Sequence, residues 1–132
     1  MDGATRNLVR RRADNRCEYC RLRQEHSHLA HHVEHVVARQ HGGPDDLDNL
    51  ALACHRCNLC KGPNLTGFDR GSGRIVALFH PRRDRWTEHS AWRGPRIEGL
   101  TATGRATVLV LAMNDARRVE LRAEILGRGE VG

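Results

Sequence analysis

Hydrophobic and polar positions in the first half of the chain form short blocks that predict the order helix, strand, strand, helix. Two adjacent apolar positions give residues 5–13 one apolar side, which favours a helix. Residues 29–38 carry three valines and residues 47–53 end in Leu-Ala-Leu-Ala, so we predict a strand in each, with a Gly-, Pro- and Asp-rich loop between them. Residues 55–61 then predict a short helix that ends at a Gly-Pro pair.

The second half of the chain has a different texture. A turn-forming run at residues 69–73 precedes an apolar stretch at 74–80, which together predict a hairpin. Residues 104–113 leave helix and strand both open, because Thr-Val-Leu-Val-Leu favours a strand while its position favours a helix. A last helix is predicted at 116–126, where an Asn-Asp pair can cap its start.

Composition limits the size of the core. The chain has 132 residues and a mass of 14.9 kDa, which fits one compact domain. Within it we distinguish a core, residues 1–66, and a basic C-terminal extension, residues 67–132, packed on the same domain. Apolar residues make up 39%, below the usual value of about 45–50%, so something besides the core must stabilise the fold. The sequence shows neither a membrane-spanning stretch nor a secretory signal, which predicts a cytoplasmic protein.

The charge of the chain indicates a polyanionic partner. The formal net charge is +6 and the sequence pI is about 9.7. Lys61 is the single lysine, so nearly all of the positive charge is carried by arginine. Genome base composition can produce such a bias, but a planar guanidinium also suits phosphate recognition. Nucleic acid is the default partner of a small basic domain.

The cysteines predict a metal site. Two Cys-x2-Cys knuckles are separated by a long segment, and a chain without an export signal is not expected to form disulfides. Each knuckle directs two thiolates to one point, so two knuckles complete a tetrahedral site for structural Zn²⁺. The four predicted ligands are Cys17, Cys20, Cys54 and Cys57. Cys60 has no partner in this count and is either a free thiol or a spare zinc ligand.

The segment between and around the knuckles carries the residues with chemistry. Glu34-His35 ends the first predicted strand, a Gly-Gly loop follows, Asn49 opens the second strand, and the second knuckle continues into Asn58 and Lys61. In this order the sequence resembles the HNH endonucleases, whose core is a ββα-metal fold. The resemblance implies an α+β fold: a small ββα-metal core with a structural zinc site and a C-terminal hairpin and helix extension.

Phosphodiester hydrolysis explains these residue types. A base must activate water, and a cation must take up charge from the phosphoryl oxygens. His35 suits the base, while Glu34 and Asn58 supply the oxygen ligands that Mg²⁺ or Mn²⁺ prefers. The resemblance implies one catalytic metal at Glu34 and Asn58, and a structural role for Asn49, whose amide ties the long loop. Asn58 has a second interpretation, as a residue that only caps the helix.

Two further residues are candidates for the same site. Lys61 lies one turn beyond Asn58 and could hold a phosphate, or could be a solvated cation at the end of the helix. His32 shares a strand face with Glu34 and could touch the metal or a phosphate, or could pack on the zinc knuckle.

The stretch after residue 80 is rich in arginine and contains both tryptophans. We predict that the arginines bind DNA phosphates and that the tryptophans pack beneath them. The alternative is a solvated basic face over a small second core. The predicted DNA-binding residues are Arg82, Arg83, Arg85, Arg93 and Arg96.

These features together predict a metal-dependent HNH DNA endonuclease or nickase, a phosphodiester hydrolase acting on duplex DNA as a monomer or weak dimer. The resemblance implies products with 5′-phosphate and 3′-hydroxyl ends. One alternative is a non-catalytic zinc-ribbon module that binds nucleic acid, which would not need Glu34, His35, Asn49 and Asn58 together. A thiol redox protein would need a βαβ pattern around a Cys-x2-Cys, which the sequence lacks.

Overall fold

The computed structural model describes residues 1–129, in which helices alternate with pairs of short antiparallel strands. This confirms the predicted α+β class. The described residues form two compact units, one made of Met1–Pro63 with His80–Asp84, the other of Asn64–Phe79 with the chain from Arg85 onward. None of the helices within these residues has both the length and the apolar character needed to span a bilayer.

The first unit contains a ββα arrangement. Its strands pair antiparallel, with Glu34 opposite Ala51, and the helix that follows them packs against both strands. The strands are shorter than the predicted 29–38 and 47–53; in the second segment a 3₁₀ turn occupies residues 47–49. The short helix has the predicted bounds. The elements are α1 (Gly3–Arg12), β1 (His32–His35), β2 (Leu50–Ala53) and α2 (His55–Lys61).

The core of the first unit lies between α1 and the strand pair. Val9 and Ala13 of α1 cluster with Leu50 and Leu52 of β2, and Val33 packs against them. All four residues of β2 are buried, although the sheet has only two strands. Both faces of β2 are therefore covered, and its position is fixed from two sides.

As far as residue 129, the second unit contains two hairpins and three helices. The predicted hairpin is present, and its turn is closed by the buried Asp69 carboxylate, which accepts hydrogen bonds from the backbone N–H groups of Gly71 and Ser72. A second hairpin, near the tryptophans, was not predicted. The elements are β3 (Thr66–Asp69), β4 (Arg74–Ala77), α3 (Trp86–His89), β5 (Ser90–Arg93), β6 (Arg96–Gly99), α4 (Ala102–Val110) and α5 (Ala116–Gly127).

The ambiguous segment 104–113 lies mostly in a helix. Thr101 caps α4 by accepting a hydrogen bond from the Gly104 N–H at 3.0 Å. Gly104 approaches another backbone segment so closely that an added Cβ would lie 1.8 Å from the His89 carbonyl oxygen. Tertiary packing therefore outweighs the strand propensity of Thr-Val-Leu-Val-Leu.

Candidate active site and cysteine cluster

Four of the five cysteines form a buried cluster in the first unit. The Sγ atoms of Cys17, Cys20, Cys54 and Cys57 all lie within 4.8 Å of one another, and those of Cys20 and Cys54 are 3.7 Å apart. A tetrahedral site with Zn–S bonds of about 2.3 Å places its sulfurs about 3.8 Å apart. The cluster is therefore compatible with a zinc site. Cys60 lies outside it and is half-buried.

Local backbone geometry prepares these thiols to bind a cation. The N–H of Cys20 points at Cys17 Sγ, and that of Cys57 at Cys54 Sγ, each at 3.4 Å. Burial raises the pKa of the Cys17 and Cys57 thiols, so holding them as thiolates requires a cation in their midst. An all-sulfur, closed and buried donor set fits a structural zinc ion rather than a catalytic one.

An open cleft of about 480 Å³ lies where β1 runs into its loop and faces α2. Glu34 and His35 both border it, although neighbouring residues on a strand normally point to opposite faces. They share the cleft because His35 is the last residue of β1. Asn58, on α2, and His32, at the start of β1, also border the cleft. The structure thus brings four of the predicted site residues to one place.

His35 is anchored by an aspartate that sequence reasoning missed. Its Nε2 lies 2.7 Å from Asp45 Oδ1, and Asp45 also accepts a hydrogen bond from Arg39 at 3.1 Å. These hydrogen bonds, first that of His35, lower the pKa of the Asp45 carboxyl. An ionised carboxylate only accepts hydrogen bonds, so in the neutral form of the ring this contact favours the tautomer with the proton on Nε2 and the lone pair on Nδ1. His35 is therefore oriented as a proton acceptor.

Glu34 is buried between two donors. The hydroxyl of Tyr19 donates a hydrogen bond to Oε1, and the ammonium nitrogen of Lys61 lies 3.9 Å from Oε2. Burial raises the pKa of Glu34, while Lys61 and Tyr19 oppose that shift. The carboxylate is therefore held in one orientation at the wall of the cleft, and Tyr19 is a second residue that sequence reasoning missed.

Lys61 does not occupy the exposed position expected of a phosphate ligand or of a solvated cation. Its side chain is buried, and its Nζ donates a hydrogen bond to the Val36 carbonyl oxygen at 2.8 Å. Burial lowers the pKa of Lys61, and the nearby Glu34 opposes this effect. Its position makes it a counter-charge to Glu34.

Asn49 ties the loop that joins the two strands. Its amide nitrogen donates to the carbonyl oxygens of Val37 at 3.0 Å and Pro44 at 2.9 Å, and its oxygen accepts from the Val37 N–H at 2.9 Å. The side chain of His32 is exposed, and its Nε2 lies 3.4 Å from Nδ1 of His55, the first residue of α2.

The five arginines predicted to bind DNA differ in their exposure and in their ion pairs. Arg82 forms an ion pair with the buried carboxylate of Glu18, and burial lowers the pKa of its guanidinium to about 10. Its interpretation as a DNA ligand is corrected, since the guanidinium is engaged inside the first unit. Arg93 pairs with Glu98 at the surface. The remaining three, Arg83, Arg85 and Arg96, are exposed.

Comparison with known proteins bears on the same part of the chain. Residues 17–64 match a family model described as HNH endonuclease. No curated protein and no solved structure matched the chain. The matched residues include both cysteine knuckles, the ββα arrangement and the residues that border the cleft. Residues 17–64 of this chain are thus similar to the HNH endonuclease family, as the sequence resemblance implied.

Proposed function

We propose that this chain is a metal-dependent DNA endonuclease or nickase that hydrolyses phosphodiester bonds. The supporting observation is the cleft of the HNH domain, where His35, anchored by Asp45, borders the same space as Glu34 and Asn58. A base beside two oxygen ligands is the minimum that metal-assisted phosphodiester hydrolysis requires.

The donors around the cleft suit a hard divalent cation. Glu34 offers a carboxylate and Asn58 an amide oxygen, and such ligands favour Mg²⁺ or Mn²⁺ completed by water and substrate phosphate. Bound there, the ion would supply charge stabilisation to the phosphoryl and leaving oxygens. The long side chain of Glu34 is kept in place by Tyr19 and Lys61, so its reach does not make it mobile.

His35 activates the nucleophile. Its Nδ1 accepts a proton from a water molecule in the cleft, and the water oxygen forms a bond to phosphorus as the bond from phosphorus to the 3′-oxygen breaks. The departing oxygen takes up a proton from solvent. The products carry a 5′-phosphate and a 3′-hydroxyl, and Asp45 stabilises the imidazolium that forms.

The cysteine cluster holds Zn²⁺ in this proposal and serves the fold rather than the chemistry, because its four thiolates leave no open position for water or substrate. The net charge of +6 and the exposed side chains of Arg83, Arg85 and Arg96 support duplex DNA as the substrate.

The test is cleavage of supercoiled plasmid with Mg²⁺ or Mn²⁺. His35→Ala should lower the rate by a factor on the order of 100–10,000, the range of general base catalysis, while zinc content is retained. The matched control is His28→Ala, which removes an exposed histidine outside the cleft and should leave the rate unchanged. Wild-type protein that binds DNA and zinc but cleaves with neither metal would instead support the non-catalytic zinc module.

A further inference from the structure

Each oxygen of the Glu34 carboxylate faces a donor from a part of the chain that also carries cysteines of the cluster. Tyr19, whose hydroxyl donates to Oε1, lies between Cys17 and Cys20 in the first knuckle. Lys61, whose Nζ is 3.9 Å from Oε2, follows Cys57 on α2, the helix that carries the second knuckle. Tyr19 and Lys61 are each 1% exposed, so neither exchanges its partner freely with water.

The first knuckle is fixed on the strand pair by its own residues. The backbone N–H of Glu18 donates to the Leu52 carbonyl oxygen, and the Glu18 carboxylate accepts from the Leu52 N–H, each at 2.8 Å. Leu52 pairs with Val33, the neighbour of Glu34 on β1. Tyr19 follows Glu18 directly, so its ring is fixed relative to Glu34 with little freedom.

Glutamate has one more rotatable bond than aspartate, and a flexible ligand binds a cation less tightly than one whose rotamer is already fixed. A hydroxyl fixed to a rigid knuckle supplies that restraint. We propose that Tyr19 is a positioning residue for Glu34, so that the knuckle sets the affinity of the cleft for its divalent cation. This inference rests on the proposed function, in which Glu34 binds the catalytic metal.

The decisive variant is Tyr19→Phe, which keeps the buried ring and removes only the hydroxyl. Loss of an outer hydrogen-bond partner of a metal ligand typically weakens metal affinity by about 10–100-fold. We therefore expect the Mg²⁺ concentration for half-maximal nicking and the Mn²⁺ dissociation constant, measured by electron paramagnetic resonance of free Mn²⁺, to rise by such a factor, with zinc content unchanged. The matched control is Thr107→Val, which removes a buried, hydrogen-bonded hydroxyl in the second unit and should alter neither quantity.

Tyr19 can also be observed directly, because it is the single tyrosine of the chain. Protein labelled with 3-fluorotyrosine gives one ¹⁹F resonance, which should shift on addition of Mg²⁺ in the wild type and stay fixed in Glu34→Gln. This measurement needs no activity and decides the matter even if Tyr19→Phe loses zinc. Unchanged metal affinity in zinc-loaded Tyr19→Phe, or a ¹⁹F signal indifferent to Mg²⁺, would overturn the inference.

The two proposals fail differently. If wild-type protein does not cleave DNA, yet its ¹⁹F signal responds to Mg²⁺ through Glu34, the endonuclease proposal falls while Tyr19 remains a positioning residue. If cleavage is normal and Tyr19→Phe has the metal dependence of the wild type, the positioning role falls and the endonuclease remains.

Discussion

His35 depends on a partner ten residues away in the loop. A surface histidine can rotate and exchange tautomers, so a base is effective only when its second nitrogen is held. Asp45 provides this hold from an exposed position, and Arg39 in turn fixes Asp45 through the same oxygen. The carboxylate of Asp45 is therefore more than a solubilising charge, although it lies in a loop rich in acidic residues.

Asp45→Ala should lower the maximal nicking rate on the order of 10-fold. We expect less than the factor of about 10⁴ known for a buried aspartate behind a catalytic histidine, because water can replace an exposed carboxylate. The half-maximal Mg²⁺ concentration should not change, since the donors that hold the metal are untouched. The neighbouring exposed Asp46→Ala is the matched control and should cleave like the wild type. Equal rates in both variants would contradict the role of Asp45.

The residues with intrinsic chemistry could be predicted from the sequence, whereas their partners could not. Glu34, His35 and Asn58 occupy positions in a spaced pattern, and they do border one cleft. Asp45 and Tyr19 reach these residues from a loop and a knuckle, whose side-chain directions no periodicity specifies. The burial of Lys61 likewise depends on how α2 packs, since the end of a short helix is usually exposed.

The loop between β1 and β2 is the element that places His35. Asn49 binds its backbone on both sides, at Val37 and Pro44, and Gly43 lies against the same region. A Cβ on Gly43 would be 1.7 Å from the Val37 carbonyl oxygen and 2.9 Å from the Asn49 amide nitrogen. The loop is thus packed as tightly as a core segment, although much of its surface is exposed.

Gly43→Ala should therefore destabilise the first unit by at least about 2 kcal/mol, because backbone rather than a flexible side chain must move. Gly42→Ala is the matched variant: its position has open space but a left-handed backbone, with φ of 82°, which costs about 1–2 kcal/mol for alanine. Urea unfolding and nicking rates of the two variants measure the difference. Gly43→Ala with the stability of the wild type would show that the close contact does not constrain the loop.

Arg82 belongs to the short segment His80–Asp84 of the first unit. Arg82→Gln should cost about 3 kcal/mol in unfolding free energy, because it leaves the buried Glu18 carboxylate without its partner. Arg83→Gln, at an exposed position, should change the free energy of unfolding by less than about 0.5 kcal/mol. It should, however, reduce the slope of log affinity against log salt concentration by about 1, the value for one phosphate contact. Chemical unfolding and affinity against salt concentration separate the two. The reverse assignment of effects would restore Arg82 to the DNA surface.

Helices and strands could be predicted where the hydrophobic pattern and the start and stop signals in the sequence agree. The helix at residues 55–61 has its stop signal in the following Gly-Pro, and the structure ends α2 there. The hairpin of β5 and β6 was not predicted, because its strands lack a clear alternation of apolar and polar residues. Charged residues, a proline and a partly exposed tryptophan interrupt that pattern. For α4, the deciding contact of Gly104 with the His89 backbone is remote in sequence.

At the scale of the whole molecule, a small apolar content is combined with a cysteine cluster, compatible with a zinc site, that joins distant parts of the first unit. Cysteine side chains from before β1 and after β2 converge, so a metal ion bound there would also fix the strand pair and α2. For such sites the free energy of metal binding is largely free energy of folding.

Cys17→Ser should accordingly lose the bound metal and the cooperative unfolding transition of the first unit. The purified wild-type protein is expected to contain about one Zn²⁺ per chain. Cys60→Ser, which alters the half-buried cysteine outside the cluster, should keep both the zinc and the transition. Elemental analysis and thermal unfolding provide the readouts. Folded wild-type protein without zinc, or zinc loss in Cys60→Ser alone, would contradict the assignment of the ligands.

The position of Glu34 between the two knuckles has a consequence for the order of events during synthesis. Tyr19 is part of the first knuckle and Lys61 lies on the helix of the second, so closure of both knuckles would bring the two side chains to this carboxylate. It follows from the proposed roles that a newly made chain acquires zinc first and the capacity to bind its second cation afterwards. Folding and acquisition of the second metal site would then both depend on zinc, and a chain made without zinc would lack the folded first unit and the metal-binding cleft together.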